Sequence, residues 1–238
     1  MVPFTVFALL SGLLPEAANA ANKGVNMMKV SKSKNTQGLT DTVRITKFGN
    51  TTIHVIGVDI DAKMPAVKKA EKIAKTINDY LYNGVKQFNA AAAADIVTIT
   101  DTNGNNVKKI EFDNLSDQKW DAFIIAGAIP PTEDQVVGST TVTGTRSGVN
   151  GDGEVAEFKV GAKVGTTEGS ATLETDDYGT VTAMLDAAVS SLQGQGIAAS
   201  RDGNAIKVTL RSESDYFGAG TDDTGLEETL RAENIDTE

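Results

Sequence analysis

TVRITKFGNTTIHVIGVDI, residues 42–60, sets two runs rich in Val, Ile and Thr on either side of Gly49 and Asn50. β-Branched side chains pack well on a pleated surface, and a Gly-Asn pair tolerates the backbone of a tight turn, so the stretch reads as two consecutive strands. Beyond Pro65 the period changes. Val67, Ala70, Ile73, Ala74, Ile77 and Leu81 recur at spacings of three and four while Lys68, Lys69, Lys72 and Lys75 fall on other faces, the pattern of an amphipathic helix. Pro65 suits a first turn, where its missing N–H would have no partner, and Gly84 is the expected stop. After an alanine-rich stretch, DIVTIT (95–100) and VKKIEF (107–112) flank an Asn-Gly turn and read as a hairpin.

The second half runs in the same order. Glu157 to Val164 and Ala171 to Glu174 read as strands, and Val181, Leu185, Ala188, Val189 and Leu192 form a second helical stripe ending at Gly194. IAAS (197–200) and AIKVTL (205–210) then flank Arg-Asp-Gly-Asn, and NGNNVK (103–108) aligns on DGNAIK (202–207) without a gap. The expected fold class is therefore α+β: two small β-β-α-β-β modules, each an antiparallel-rich sheet packed on one helix, joined by a Pro/Gly-rich linker. The expected boundaries are a polar lead over 21–40, module 1 over 41–129, a linker and strand region over 130–154 around Pro130 and Pro131, module 2 over 155–212, and an acidic tail over 213–238. Trp120, the single Trp, and Phe123 are expected to seal the first core.

Val2 to Leu14 is an almost unbroken apolar run followed by Ala18-Asn19-Ala20, the small-x-small pattern cut by signal peptidases. Residues 1–20 read as a signal peptide cleaved before Ala21, which places the mature chain outside the cell or on its surface. The alternative is a retained hydrophobic segment packed between subunits of an assembly. The run is too short for a stable membrane span.

With no Cys among 238 residues, disulfides, thiolate nucleophiles and Cys-ligated metals are excluded. A formal charge of −10 argues against nucleic acid as a partner, because phosphate neutralisation needs clustered cations. The charge is unevenly spread. Residues 22–115 carry 14 Lys and Arg against 9 Asp and Glu, whereas residues 116–238 carry 8 against 22.

Catalytic chemistry finds little footing. The single His, His54, alternates with Ile53 and Val55 in a strand, with no nucleophile elbow, HExxH or phosphate loop to join it. Carboxylate pairs such as Asp59 with Asp61, or Asp176 with Asp177, lack the aromatic residues that line a sugar cleft. Asp61 reads as charge complementing a helix N-terminus and Asp177 as a helix cap. Asp101, Asn103 and Asn105, and likewise Asn150, Asp152 and Glu154, alternate oxygen ligands as Ca²⁺ sites do, but Phe112 and Gly161 stand where a calcium loop closes with an acid, so both read as turns. No catalytic, cofactor-binding or metal residue is assigned, and the chain is read as not an enzyme.

The stretch from Val160 to Leu210, with its strands, TDDYGTVTAMLDAAVSSL helix, IAAS and DGNAIKVTL, resembles the small insertion modules of flagellins and filament-cap proteins and of phage tail proteins. The resemblance covers about fifty residues and implies a surface-displayed module on an assembling protein. The expected function is a non-catalytic extracellular structural subunit, self-assembling head to tail into a filament, matrix or surface layer, with an adhesive role open to it. The partner is then another copy of the chain. The alternatives are a virion tail or decoration protein and a secreted carboxylate-dependent hydrolase.

Overall fold

Along β3 (Ile53–Ile60), His54, Ile56, Val58 and Ile60 are buried while the residues between them are exposed, as in a strand with one face on a core and the other in water. The computed structural model describes residues 24–33, 37–113, 123–126, 134–212 and 214–236. Before β3 come β1 (Val25–Lys29) and β2 (Leu39–Thr46). After it come α1 (Ala66–Asp79), a small ribbon of β4 (Leu81–Tyr82) and β5 (Val85–Lys86), then β6 (Phe88–Ala93), β7 (Ile96–Asp101), β8 (Lys109–Asp113) and β9 (Phe123–Ala126). The second half contains β10 (Asp134–Gly144), β11 (Glu157–Val164), β12 (Thr167–Glu174), α2 (Val181–Gly194), β13 (Ala199–Asp202), β14 (Ala205–Leu210), β15 (Tyr216–Thr221) and β16 (Leu226–Asp236).

The strands form two seven-stranded antiparallel sheets, in the orders β12-β11-β15-β9-β1-β7-β6 and β13-β14-β10-β16-β8-β2-β3. Contacts between β11 and β14, β15 and β10, β9 and β16, and β1 and β8 show that the sheets face each other strand for strand. They approach closely at Gly138 of β10, where an added Cβ would lie 2.5 Å from Cβ of Phe217 on β15. Each open end of the sandwich is closed by a helix. α1 packs on β6, β7 and β3, and α2 on β12, β11, β13 and β14. One hydrophobic core, containing Val43, Ile73 and Phe112 as well as Phe158, Leu185 and Phe217, runs through both halves.

This overturns the expected fold class. The structure is mostly β, with 52% strand and 17% helix, and is not a pair of β-β-α-β-β modules. Periodicity identifies elements, but it does not say which strand pairs with which. β7 and β8 do not form the expected hairpin. β7 pairs with β1 and β6 in one sheet, β8 pairs with β2 and β16 in the other, and the turn at 101–105 carries the chain across the sandwich. The acidic tail is not a tail, since β15 and β16 lie inside the two sheets. The polar lead contains β1, also an inner strand, and β10 occupies much of the supposed linker. Gly84 does not stop α1, which ends at Asp79; it follows Asn83 in the turn of the β4–β5 ribbon, both at positive φ. The apolar N-terminal segment, Trp120 and the Pro130-Pro131 pair lie outside the described residues.

A larger duplication takes the place of the expected one. Matching β1–β3, α1 and β6–β9 in order with β10–β12, α2 and β13–β16 converts either sheet order into the reverse of the other. The helices agree residue by residue. They open at Ala66 and Val181, 115 positions apart, and at that offset the buried residues Lys69, Ala70, Ile73, Ala74 and Ile77 fall on Met184, Leu185, Ala188, Val189 and Leu192, all buried. The counterpart of the β13–β14 hairpin at Gly203 is thus the β6–β7 turn at Ala94, not Asn103-Gly104. Each half gives three strands to one sheet and four to the other.

Candidate functional site

His54 projects from β3 into a nest of rings, its centroid 5.0 Å from Phe88, 5.1 Å from Tyr82 and 5.8 Å from Tyr80, each edge to face. Nδ1 lies 3.5 Å from the Tyr80 hydroxyl and Nε2 is buried without a hydrogen-bond partner. Burial holds its pKa below the usual histidine value, with the nearby Lys47 ammonium adding to the effect. No serine, cysteine or carboxylate is among these contacts, and the ring serves as core.

Side-chain oxygens of Asp59, Asp61, Asp101 and Asn150 are occupied locally. Asp59 accepts from Thr40 Oγ1 at 2.7 Å across the β2–β3 pair, and Asp61 faces Lys72 Nζ at 3.3 Å. Asp101 Oδ1 accepts from the backbone N–H groups of Asn103 and Asn105, both at 2.8 Å, and Asn150 Oδ1 does the same for Asp152 and Glu154 at 3.0 Å. These are turn-forming bonds in which a short side chain stands in for backbone. Asp177 does not cap α2: Thr180 does, its Oγ1 accepting from Ala183 N at 3.1 Å.

The acidic residues near the C-terminus hold loops. Asp223, fully buried, accepts from the backbone N–H groups of Ser147, Gly148 and Gly225 and from the hydroxyls of Ser147 and Thr175, at 2.6–2.9 Å. Burial alone would raise its pKa; the Ser147 and Thr175 hydroxyls and the backbone donors outweigh it and bring the carboxyl down to about 2. Asp215, also buried, is bound by Ser212, Gly165 and Arg211 and is likewise held below the ordinary range against the effect of burial. Composition counted these charges as solvated, whereas four or five donors converge on each.

The two helical ends of the sandwich differ in chemistry. At the α1 end, a groove of about 650 Å³, open to solvent, is lined by Lys63, Lys68, Lys72 and Lys75 with Asp61 and Glu71 between them. Lys63 sits at φ 53° in the loop from β3 to α1, which turns its neighbours toward the start of the helix. Leu81, Tyr82 and Val85 of the β4–β5 ribbon, and Ile53 and Val55 on the outer face of β3, are exposed at the same end. At the α2 end the corresponding connection, from β12 to α2, carries Glu174, Asp176 and Asp177, all exposed, with carboxylate oxygens within 4.8 Å of one another. At the helix offset, Lys68, Lys72 and Lys75 face Ala183, Ala187 and Ser190. Such ends can bind through charge and apolar contact.

Among the described residues no helix is long and apolar enough to cross a membrane. Compared with known proteins, the chain matches no family model, and no curated protein or solved structure is significantly similar to it.

Proposed function

We propose that this chain is a non-catalytic structural subunit that assembles with copies of itself, as an extracellular or cell-surface filament, matrix or layer. One observation carries the reading. The duplication gives the sandwich two ends of the same plan, and the ends have diverged to opposite charge, lysines at α1 and carboxylates at α2. Two unlike but matching patches on one molecule make a heterologous contact, which closes into a ring or runs on as a fibre according to the rotation between copies. Salt weakens such a contact, because its Debye length shrinks to about 3 Å at 1 M.

Sedimentation velocity of the full chain across protein concentration and salt tests this: larger species are expected at low salt and fewer at high salt. A chain that stays monomeric at low salt and high concentration removes the proposal. A virion subunit would use the same ends. Mass spectrometry of the native N-terminus separates the two settings, with Ala21 pointing to export and Met1 or Val2 to a virion.

A further inference from the structure

We infer that the contact between copies seats Glu174, Asp176 and Asp177 of one molecule in the lysine groove at the start of α1 of the next. This rests on the reading of the chain as a self-assembling subunit and names the surfaces that do the joining. Three carboxylates with oxygens inside 4.8 Å repel one another, a cost that the nearby N-terminus of α2 offsets only in part. The groove presents four ammonium groups against two carboxylates, with a third acid, Asp79, beside Lys75. Its ion pairs, Lys68 with Glu71, Lys72 with Asp61 and Lys75 with Asp79, are exposed and individually weak, so incoming acids can exchange with them at little cost.

Position carries the argument as much as charge. The cluster and the groove occupy matched connections of the duplicated plan, β12 to α2 and β3 to α1, each at the outer edge of a sheet. Had both kept one chemistry, the ends would repel. Instead, equivalent places carry complementary groups, so one end docks only on the other, and the direction of growth is set.

A charge-swap pair tests the contact. One variant carries Glu174→Lys, Asp176→Lys and Asp177→Lys; the other carries Lys63→Glu, Lys68→Glu and Lys72→Glu. All six positions lie on the surface or half exposed, so both chains keep the fold, checked by circular dichroism. Each variant alone has two ends of one sign, and its association by sedimentation is expected to weaken by about 10-fold or more. An equimolar mixture regains assembly, because every junction then has one acidic and one basic side. If wild type assembles and either variant alone assembles as well as it does, the inferred contact is wrong while the structural-subunit reading stands. If wild type does not assemble at all, both fall.

Discussion

The side-chain amide of Asn78, at the end of α1, takes both backbone groups of Ala90 on the edge strand β6, donating to its carbonyl at 2.6 Å and accepting from its N–H at 3.0 Å. Its counterpart at the helix offset, Gln193 of α2, donates to the carbonyl of Ala199 on the edge strand β13 at 2.8 Å. Gln195 does for Ser170 of β12 what Asn78 does for Ala90. An amide is a fragment of backbone, so the helices supply the hydrogen bonds of an absent neighbouring strand and blunt the edges against uncontrolled pairing. Asn78→Ala is expected to lower stability by about 1–2 kcal/mol, read from urea denaturation, with Asn78→Asp falling between because it keeps only the acceptor. Equal stability of wild type and Asn78→Ala would show the bonds to be idle.

Lys69 and Asp41 form an ion pair at 2.7 Å with both side chains fully buried, beneath α1 and against the Phe112 ring. Removing one partner takes the opposite charge away from a fully buried group. Lys69→Met alone is expected to cost about 3–5 kcal/mol, and pairing it with Asp41→Leu to recover much of that loss. Methionine is the residue the other half already uses, since Met184 stands at the matching place of α2. Denaturation curves of the two single variants and the double variant decide this, and strictly additive losses would count against it.

Acid should loosen the Asp223 node. Its carboxyl titrates near 2 in the fold against an ordinary value of 3.8, so the stabilisation is complete above about pH 4 and is lost as pH falls toward 2. The difference corresponds to about 2 kcal/mol. Asp223→Asn should lower stability at neutral pH and flatten the pH dependence between 4 and 2. An unchanged slope in that window would locate the acid sensitivity elsewhere.

His54 acts in a different window and with the same sign, both groups costing stability as pH falls. Burial and then Lys47 favour the neutral ring in the fold, so stability is full above the unfolded value of about 6.5 and declines below it as the unfolded chain takes up a proton more readily. The imidazole resonance of the single histidine should titrate below 6.5 in NMR spectra, and His54→Phe should remove the dependence. A midpoint at or above 6.5 contradicts the ring nest as the controlling environment.

Local pattern was legible where one element's own period decided the matter. β11 begins and ends where the sequence placed it, and α2 runs from Val181 to Gly194 as its stripe indicates. Pairing was not legible, because a turn such as 101–105 has the same chemistry whether the chain reverses within a sheet or crosses to the other. β6 was missed because FNAAAA carries one large apolar residue and a run of alanines, which have little strand preference; the small side chains let α1 lie close. β15 and β16 were hidden by a charge count. In β16, Leu230, Ala232 and Asn234 are buried and the charged residues between them less so, an alternation that the total of acidic groups obscured. The lysine groove and the carboxylate cluster appeared in the sequence only as an imbalance between halves. Their placement at matching ends required the topology.

Synthesis from the N-terminus meets a long wait in this architecture. β16, the last of the described strands in chain order, slots between β10 and β8, and β15 likewise separates β11 from β9. Until β15 and β16 (Tyr216–Asp236) emerge, the earlier strands have no partner along those seams, and the unfinished chain presents sticky backbone to its surroundings. A chain laid out this way should depend on holding chaperones during translation more heavily than one whose strands pair in the order they emerge.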